Sequence, residues 1–350
     1  MKKILNYLSV FSVLLFIFLI IINPQICKDG VISGILLCGR IIIPSLFPFT
    51  VCVLFILKSG VLEKLDFLNR KSETLTGLTA QQLSIMILSF IGGYPIGAKL
   101  LNDAVITKKI APEKAGVMLN FCINAGPAFI IAAVGNGMLG SKQLGIVLFV
   151  SHITASLLLC AFSRKSLKSE TVNKNKFMRL GAIDNFVISV GESAQSVLGI
   201  CGFVILFSAI NSYINFLCKM YPALKPIMFI TEITNGINST NNIYIIAFLL
   251  GLGGVCIWCQ ILAVSKEIKV NFKLFFLFRF LHAVLSSIGT YIILKFFNIT
   301  VPVFSNYKNF DTTYFYSTPI LSISMLSMII IFIISITAKK YTGKIIEDVL

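Results

Sequence analysis

The chain of 350 residues is 57% hydrophobic and 13% charged, with a mean hydropathy of +0.91, which excludes a soluble globular domain. Its formal net charge of +16 at pH 7 would suit nucleic acid in a soluble protein. Here Lys and Arg gather between apolar runs, where they orient a chain in a bilayer, so no nucleic-acid partner is expected.

The apolar runs suit helices of roughly 17–25 residues and lack the alternation of outer-membrane strands. The expected fold is therefore all-α: a polytopic membrane protein of about eight transmembrane helices plus two re-entrant hairpins. Lys2 and Lys3 precede an apolar run over 4–22 that is too long for a signal-peptide core and has no cleavage site, so 1–30 reads as a retained anchor. Further spans are predicted at 31–57, 115–134, 143–162, 183–211, 243–264, 274–297 and 319–338. Two apolar segments, 83–91 and 226–233, are too short to cross and read as hairpins that dip in and return.

Loop charge tests that choice, because each re-entrant segment fixes the side of every later loop. With both segments returning, 22 loop Lys and Arg are cytoplasmic and 5 exterior; with both crossing the split is 15 to 12, and with only the first crossing it is 10 to 17. The positive-inside rule selects the first layout, with both termini cytoplasmic at the cell inner membrane. The chain then divides into the anchor (1–30), a first membrane repeat (31–162), a cytoplasmic linker (163–182), a second repeat (183–298) and a C-terminal helix and tail (299–350). The two repeats run in the same order, but one hairpin enters from each face, which is the inverted-repeat plan of secondary transporters.

In the first hairpin, Gly92, Gly93, Tyr94, Pro95, Gly97 and Lys99 interrupt the helix. Glycine permits unusual dihedrals and proline ends the ladder, which leaves amides at the tip for a carboxylate, a phosphate or an electron-rich base. A simple turn with Lys99 snorkelling to the cytoplasm fits the same residues. The second hairpin is more polar, with Glu232, Thr234 and Asn235. A carboxylate near the bilayer centre costs roughly 2.5–3.5 kcal/mol, so Glu232 needs a partner, a cation or a proton, unless it lies at the headgroups.

In the long spans, Arg40 precedes a break at Pro44-Ser45-Leu46-Phe47-Pro48, and Glu192 takes the matching place in the second repeat. Arg40, Lys99, Glu192 and Glu232 would form a balanced set, although a structural ion pair explains any two of them equally well. Asn120 and Asn124 lie four residues apart on one helix face, where amides serve a polar solute or helix packing. His152 and His282 read as packing residues. Nine cysteines lie mostly in apolar runs with no disulfide framework, and Cys256-x-x-Cys259 beside Trp258 reads as packing. No nucleotide loop, nucleophile elbow or metal-ligand spacing is evident, so neither an enzyme nor a cofactor or metal is expected.

The motifs Pro44-Ser45-Leu46-Phe47-Pro48-Phe49, Gly93-Tyr94-Pro95-Ile96-Gly97-Ala98-Lys99, Asn124-Ala125-Gly126-Pro127-Ala128-Phe129-Ile130 and Glu232-Ile233-Thr234-Asn235-Gly236 together resemble the YlbJ-type sporulation integral membrane proteins, which carry nucleoside-recognition (Gate) domains. The resemblance covers roughly 31–300 and implies an inner-membrane protein needed for spore cortex formation. The chain departs from the expected pattern at Asn124-Ala125-Gly126-Pro127, where a Ser-Asn-Pro-type sequence is expected. The functional expectation is a transporter of a small polar solute, with a coupling ion, membrane lipid and a second copy of the chain as further partners. The alternative is a non-transporting scaffold that recruits envelope-building partners through 163–182. A channel ranks third for want of a ring of like charge.

Overall fold

The computed structural model describes residues 2–61, 69–167 and 181–298, and every regular element among these residues is helical. In chain order they are α1 (Lys2–Ile22), α2 (Pro24–Lys58), α3 (Asn69–Thr76), α4 (Ala80–Gly92), α5 (Tyr94–Ile106), α6 (Pro112–Leu119), a π-helical segment π1 (Ala128–Met138), α7 (Lys142–Leu167), α8 (Ala182–Met220), α9 (Lys225–Thr231), α10 (Ile233–Asn238), α11 (Ile243–Leu252), α12 (Gly254–Val264) and α13 (Phe272–Phe296). Five stretches are long and apolar enough to cross a membrane: Pro24–Lys58, Lys142–Leu167, Ala182–Met220, Ile243–Val264 and Phe272–Phe296. They overlap five predicted spans, although the first begins at Pro24 rather than 31 and the third runs on to Met220 rather than 211, and α1 covers a sixth. The predicted span 319–338 and most of the linker, 168–180, lie outside the described residues.

Two local expectations are corrected. The prolines at 44 and 48 do not break α2; a π-helical stretch, Cys38–Ile42, precedes Pro44 and the helix runs on to Lys58. A widened turn absorbs the proline ring, and the hydroxyls of Ser45 and Thr50 bond carbonyls of the preceding turn. Conversely, 115–134 is not one helix: α6 ends at Leu119 and π1 starts only at Ala128. Pro127 offers no N–H, and the freed groups find side-chain partners elsewhere in the fold.

The helices α4 and α5 fold back on each other at Gly93, whose φ of +88° favours glycine. A Cβ placed on Gly97 would lie 3.0 Å from Ser89 Cβ, so the two arms touch one turn from the bend. Thr79 and Gln82 close a capping box at the start of α4. The pair α9 and α10 folds back likewise at Glu232, with Gly236 against Phe229.

The order of long helix, hairpin, interrupted helix and long helix occurs twice: α2, α4–α5, α6–π1, α7, then α8, α9–α10, α11–α12, α13. In both series the hairpin tip meets the interruption alike. A Cβ on Gly126 would lie 2.9 Å from Ile91 O, and one on Gly254 would lie 2.9 Å from Ile230 O. The main apolar core joins the hairpin α4–α5 to α6, π1, α11 and α12, while a smaller one sets Cys38 and Ile42 of α2 against Val197, Cys201 and Val204 of α8 and Cys256 of α12.

Candidate functional site

Glu192, on α8, accepts a hydrogen bond from Lys58 Nζ at the end of α2. Its other oxygen stands 3.5 Å from Lys99 Nζ on α5, which is in turn 3.9 Å from Asp103 Oδ2 one turn later. These side chains are 20–31% exposed. Partly exposed ion pairs contribute about 0.2–1 kcal/mol, whereas holding a charge inside a bilayer costs roughly 2.5–3.5 kcal/mol. Pairing alone would not offset that cost for four charges, and their partial exposure keeps all four in reach of water. Glu192 is ten residues from the start of α8, about 15 Å along its axis.

Of the predicted site residues, Lys99 and Glu192 come together here, joined by Lys58 and Asp103. Arg40 sits partly buried in the π-helical turn of α2. Glu232 is 3% exposed and its Oε1 accepts from Thr234 N at 3.0 Å, so the carboxylate caps α10, with Thr234 buried beside it. Asn235 belongs to the same short helix. Next to Glu232, Thr231 Oγ1 donates to Asn211 Oδ1. Asn211 is nineteen residues beyond Glu192, about 28 Å along α8, so the second hairpin meets that helix far from the lysine cluster.

The glycine-proline tip has a third placement. Gly92, Gly93, Tyr94, Pro95 and Gly97 are all buried. Gly93 packs near Gly126, and Tyr94 Oη donates to Leu250 O just before the interruption at Gly253 and Gly254. The amides of Ile96 and Gly97 bond Gly93 O. Lys99 projects into the ion cluster, while the tip itself packs against the two interruptions.

The segment between α6 and π1 is held by Asn124, a predicted site residue, and by three side chains that are not: Arg279, Ser156 and His152. Arg279, 1% exposed on α13, donates from Nη1 to Ile123 O at 2.6 Å and from Nη2 to Asn120 O at 2.7 Å. Ser156 Oγ and Asn124 Nδ2 both donate to Phe121 O. His152 Nε2 accepts from Ala125 N at 3.0 Å. Asn120 thus lends its backbone carbonyl and Asn124 its amide to this segment. The sequence signal for Arg279 is a lone cation in the middle of an apolar run; Lys58, at the edge of its run, is indistinguishable from a loop lysine.

Together, apolar helices of spanning length and interrupted helices define a polytopic helical membrane protein that carries a partly exposed charge cluster. The chain is similar to sporulation integral membrane protein YlbJ of Bacillus subtilis (strain 168), with 21% identity over 345 residues, 83% of this chain and 83% of the relative. That likeness covers most of both chains and supports the YlbJ-type resemblance drawn from the motifs. No protein-family model matches the chain, and no solved structure matches it.

Proposed function

We propose that the chain is a transporter-like protein of the cell inner membrane, with both termini cytoplasmic, that moves a small polar solute used in sporulation, with spore cortex formation as the process it serves. It is not an enzyme; its partners are the solute, a coupling ion and lipid. The two helix series are inverted repeats related to Gate domains, and α4–α5 and α9–α10 are re-entrant hairpins entering from opposite faces. One observation carries this reading: Glu192 of the second series is shared between Lys58 and Lys99 of the first. A carboxylate shared by two cations on different elements can exchange partners as the series move, and it can release one cation to a solute. The name of the relative supports the sporulation setting.

The test replaces Glu192→Gln in sporulating cells and compares metabolites in spores and membrane vesicles with those from wild type. A transporter loses the solute difference while membrane levels of the protein stay unchanged. A scaffold tolerates Glu192→Gln and fails instead on changes within 163–182, and that pattern would overturn the reading.

A further inference from the structure

Five buried polar atoms without a hydrogen-bond partner belong to the segment between α6 and π1 and to the two helices that brace it, α7 and α13: Asn124 Oδ1, His152 Nδ1, Arg279 Nε, His282 Nδ1 and Ser286 Oγ. All five residues are 0–1% exposed. Arg279, His282 and Ser286 share one face of α13, at spacings of three and four residues. The rings of His152 and His282 have centroids 4.4 Å apart, and Ala125, next to Asn124, bonds His152. Roughly 90% or more of buried polar groups are satisfied by protein or ordered water, so five open ones on this segment and its two bracing helices point to something bound between them.

The bonds already made fix what each open atom offers. Ala125 N–H points at His152 Nε2, which must present a lone pair, so as a neutral ring His152 carries its proton on Nδ1. His282 Nε2 faces the carbonyl of His152 at 3.0 Å and must donate, which leaves its Nδ1 as an acceptor in the neutral ring. Asn124 Nδ2 donates to Phe121 O, so Oδ1 is the acceptor. The open donors are therefore Arg279 Nε–H and His152 Nδ1–H, the open acceptors are Asn124 Oδ1 and His282 Nδ1, and the Ser286 hydroxyl serves either way. An anion only accepts and would leave two acceptors unmet; a metal cation would face the Arg279 guanidinium.

We propose that Asn124, His152, Arg279, His282 and Ser286 enclose a site for a neutral group that both donates and accepts hydrogen bonds, either resident water or a hydroxyl or amide of the solute. The two histidines hold the same place in their series, the eleventh residue of α7 and of α13, and a serine follows four residues later in each. Ser156 is spent on Phe121 O while Ser286 stays open, so the site is asymmetric although its framework recurs. The solute arm of this proposal rests on the transport reading, whereas the water arm stands without it.

The chain contains 2 histidines, so the full-length protein labelled with 15N-histidine in lipid bilayers gives four ring-nitrogen signals and needs no variant. One ring should be protonated at Nδ1 and the other at Nε2. Transfer of magnetisation from water to both Nδ1 atoms, unaffected by added glycerol or acetamide, assigns the site to water. Loss of that transfer with a shift of the Nδ1 signals on adding either compound assigns it to a solute hydroxyl or amide. The same tautomer in both rings, a doubly protonated ring, or Nδ1 signals that receive nothing from water and ignore both compounds would overturn the proposal. Failure of Glu192→Gln to alter transport would leave the water outcome intact, so the two readings fail separately.

Discussion

Replacing Gly97 by alanine should destabilise the protein, against the general expectation for a helical glycine. In an unobstructed helix the substitution gains about 0.5–1 kcal/mol. At Gly97 the new Cβ would sit 2.0 Å from Cys122 O and 3.0 Å from Ser89 Cβ, about 1.5 Å short of an ordinary contact with backbone that cannot rotate away. Forcing extra carbon into a packed interior costs about 1–3 kcal/mol, and a clash with a carbonyl on the segment that Arg279 braces belongs at the upper end. The net expectation is a loss of about 1–2 kcal/mol. Gly202 of α8 supplies the control, because nothing lies within 4 Å of its added Cβ; Gly202→Ala should gain the full helical increment. Thermal unfolding of the purified variants in the same detergent measures both. A Gly97→Ala variant that melts at or above wild type, or together with Gly202→Ala, would refute the claim that the hairpin arm lies tight against the interrupted segment.

Tyr94→Phe removes the donor to Leu250 O, a buried bond, and should cost about 1–3 kcal/mol in the same unfolding assay; no change would mean that the carbonyl finds another partner. Lys269 Nζ bonds Glu113 Oε1 at 2.6 Å and holds that carboxyl below the usual carboxylate range. A lowered folded value stabilises above the unfolded value of about 4.3 and is lost as pH falls through the folded one. The docking of the 265–271 loop on α6 should therefore loosen only in acid, and hydrogen exchange of that loop in Glu113→Gln should lose this pH dependence. Lys108, exposed just after α5, should react as Lys108→Cys with an impermeant thiol reagent only from the cytoplasmic side; labelling from outside would sink the re-entrant reading.

The spans were legible because a bilayer demands about 20 apolar residues in a row, a local demand that any window can test. The left-handed bend at Gly93 was legible for a similar reason, since only glycine takes that backbone without strain. What the tip touches was not, because Gly126 and Leu250 are distant in sequence. The reading of Pro44–Pro48 as a break followed a sound local rule that a π-helical turn sidesteps. Lys99 and Glu192 could be picked out as ionisable groups among apolar neighbours. Asp103 and Lys58 are not distinguishable in this way, because a charge at the end of an apolar run reads the same whether it faces a loop or a buried partner. The interruption at 120–127 is the hardest to read, because its braces come from other helices: His152 and Ser156 from the next long helix and Arg279 from 156 residues beyond Ile123.

Arg279 and Tyr94 tie the two helix series together in a reciprocal way. The first interruption is held by Arg279 of the second series, and the carbonyl before the second interruption is held by Tyr94 of the first. A buried carbonyl left without its donor costs about 1–3 kcal/mol, so losing Arg279 exposes the first series to about 2–6 kcal/mol over Ile123 O and Asn120 O. That is a large fraction of the 5–15 kcal/mol, roughly, that holds a typical fold together. Neither series should then fold alone. If the chain is cut within 168–180 and each piece is produced separately, both should be degraded or aggregate, whereas the two produced together should reassemble into a monodisperse complex. A first piece that accumulates by itself, with slow hydrogen exchange across 120–127, would mean that its interruption is satisfied from within, and Arg279 would then have to be in place for another reason.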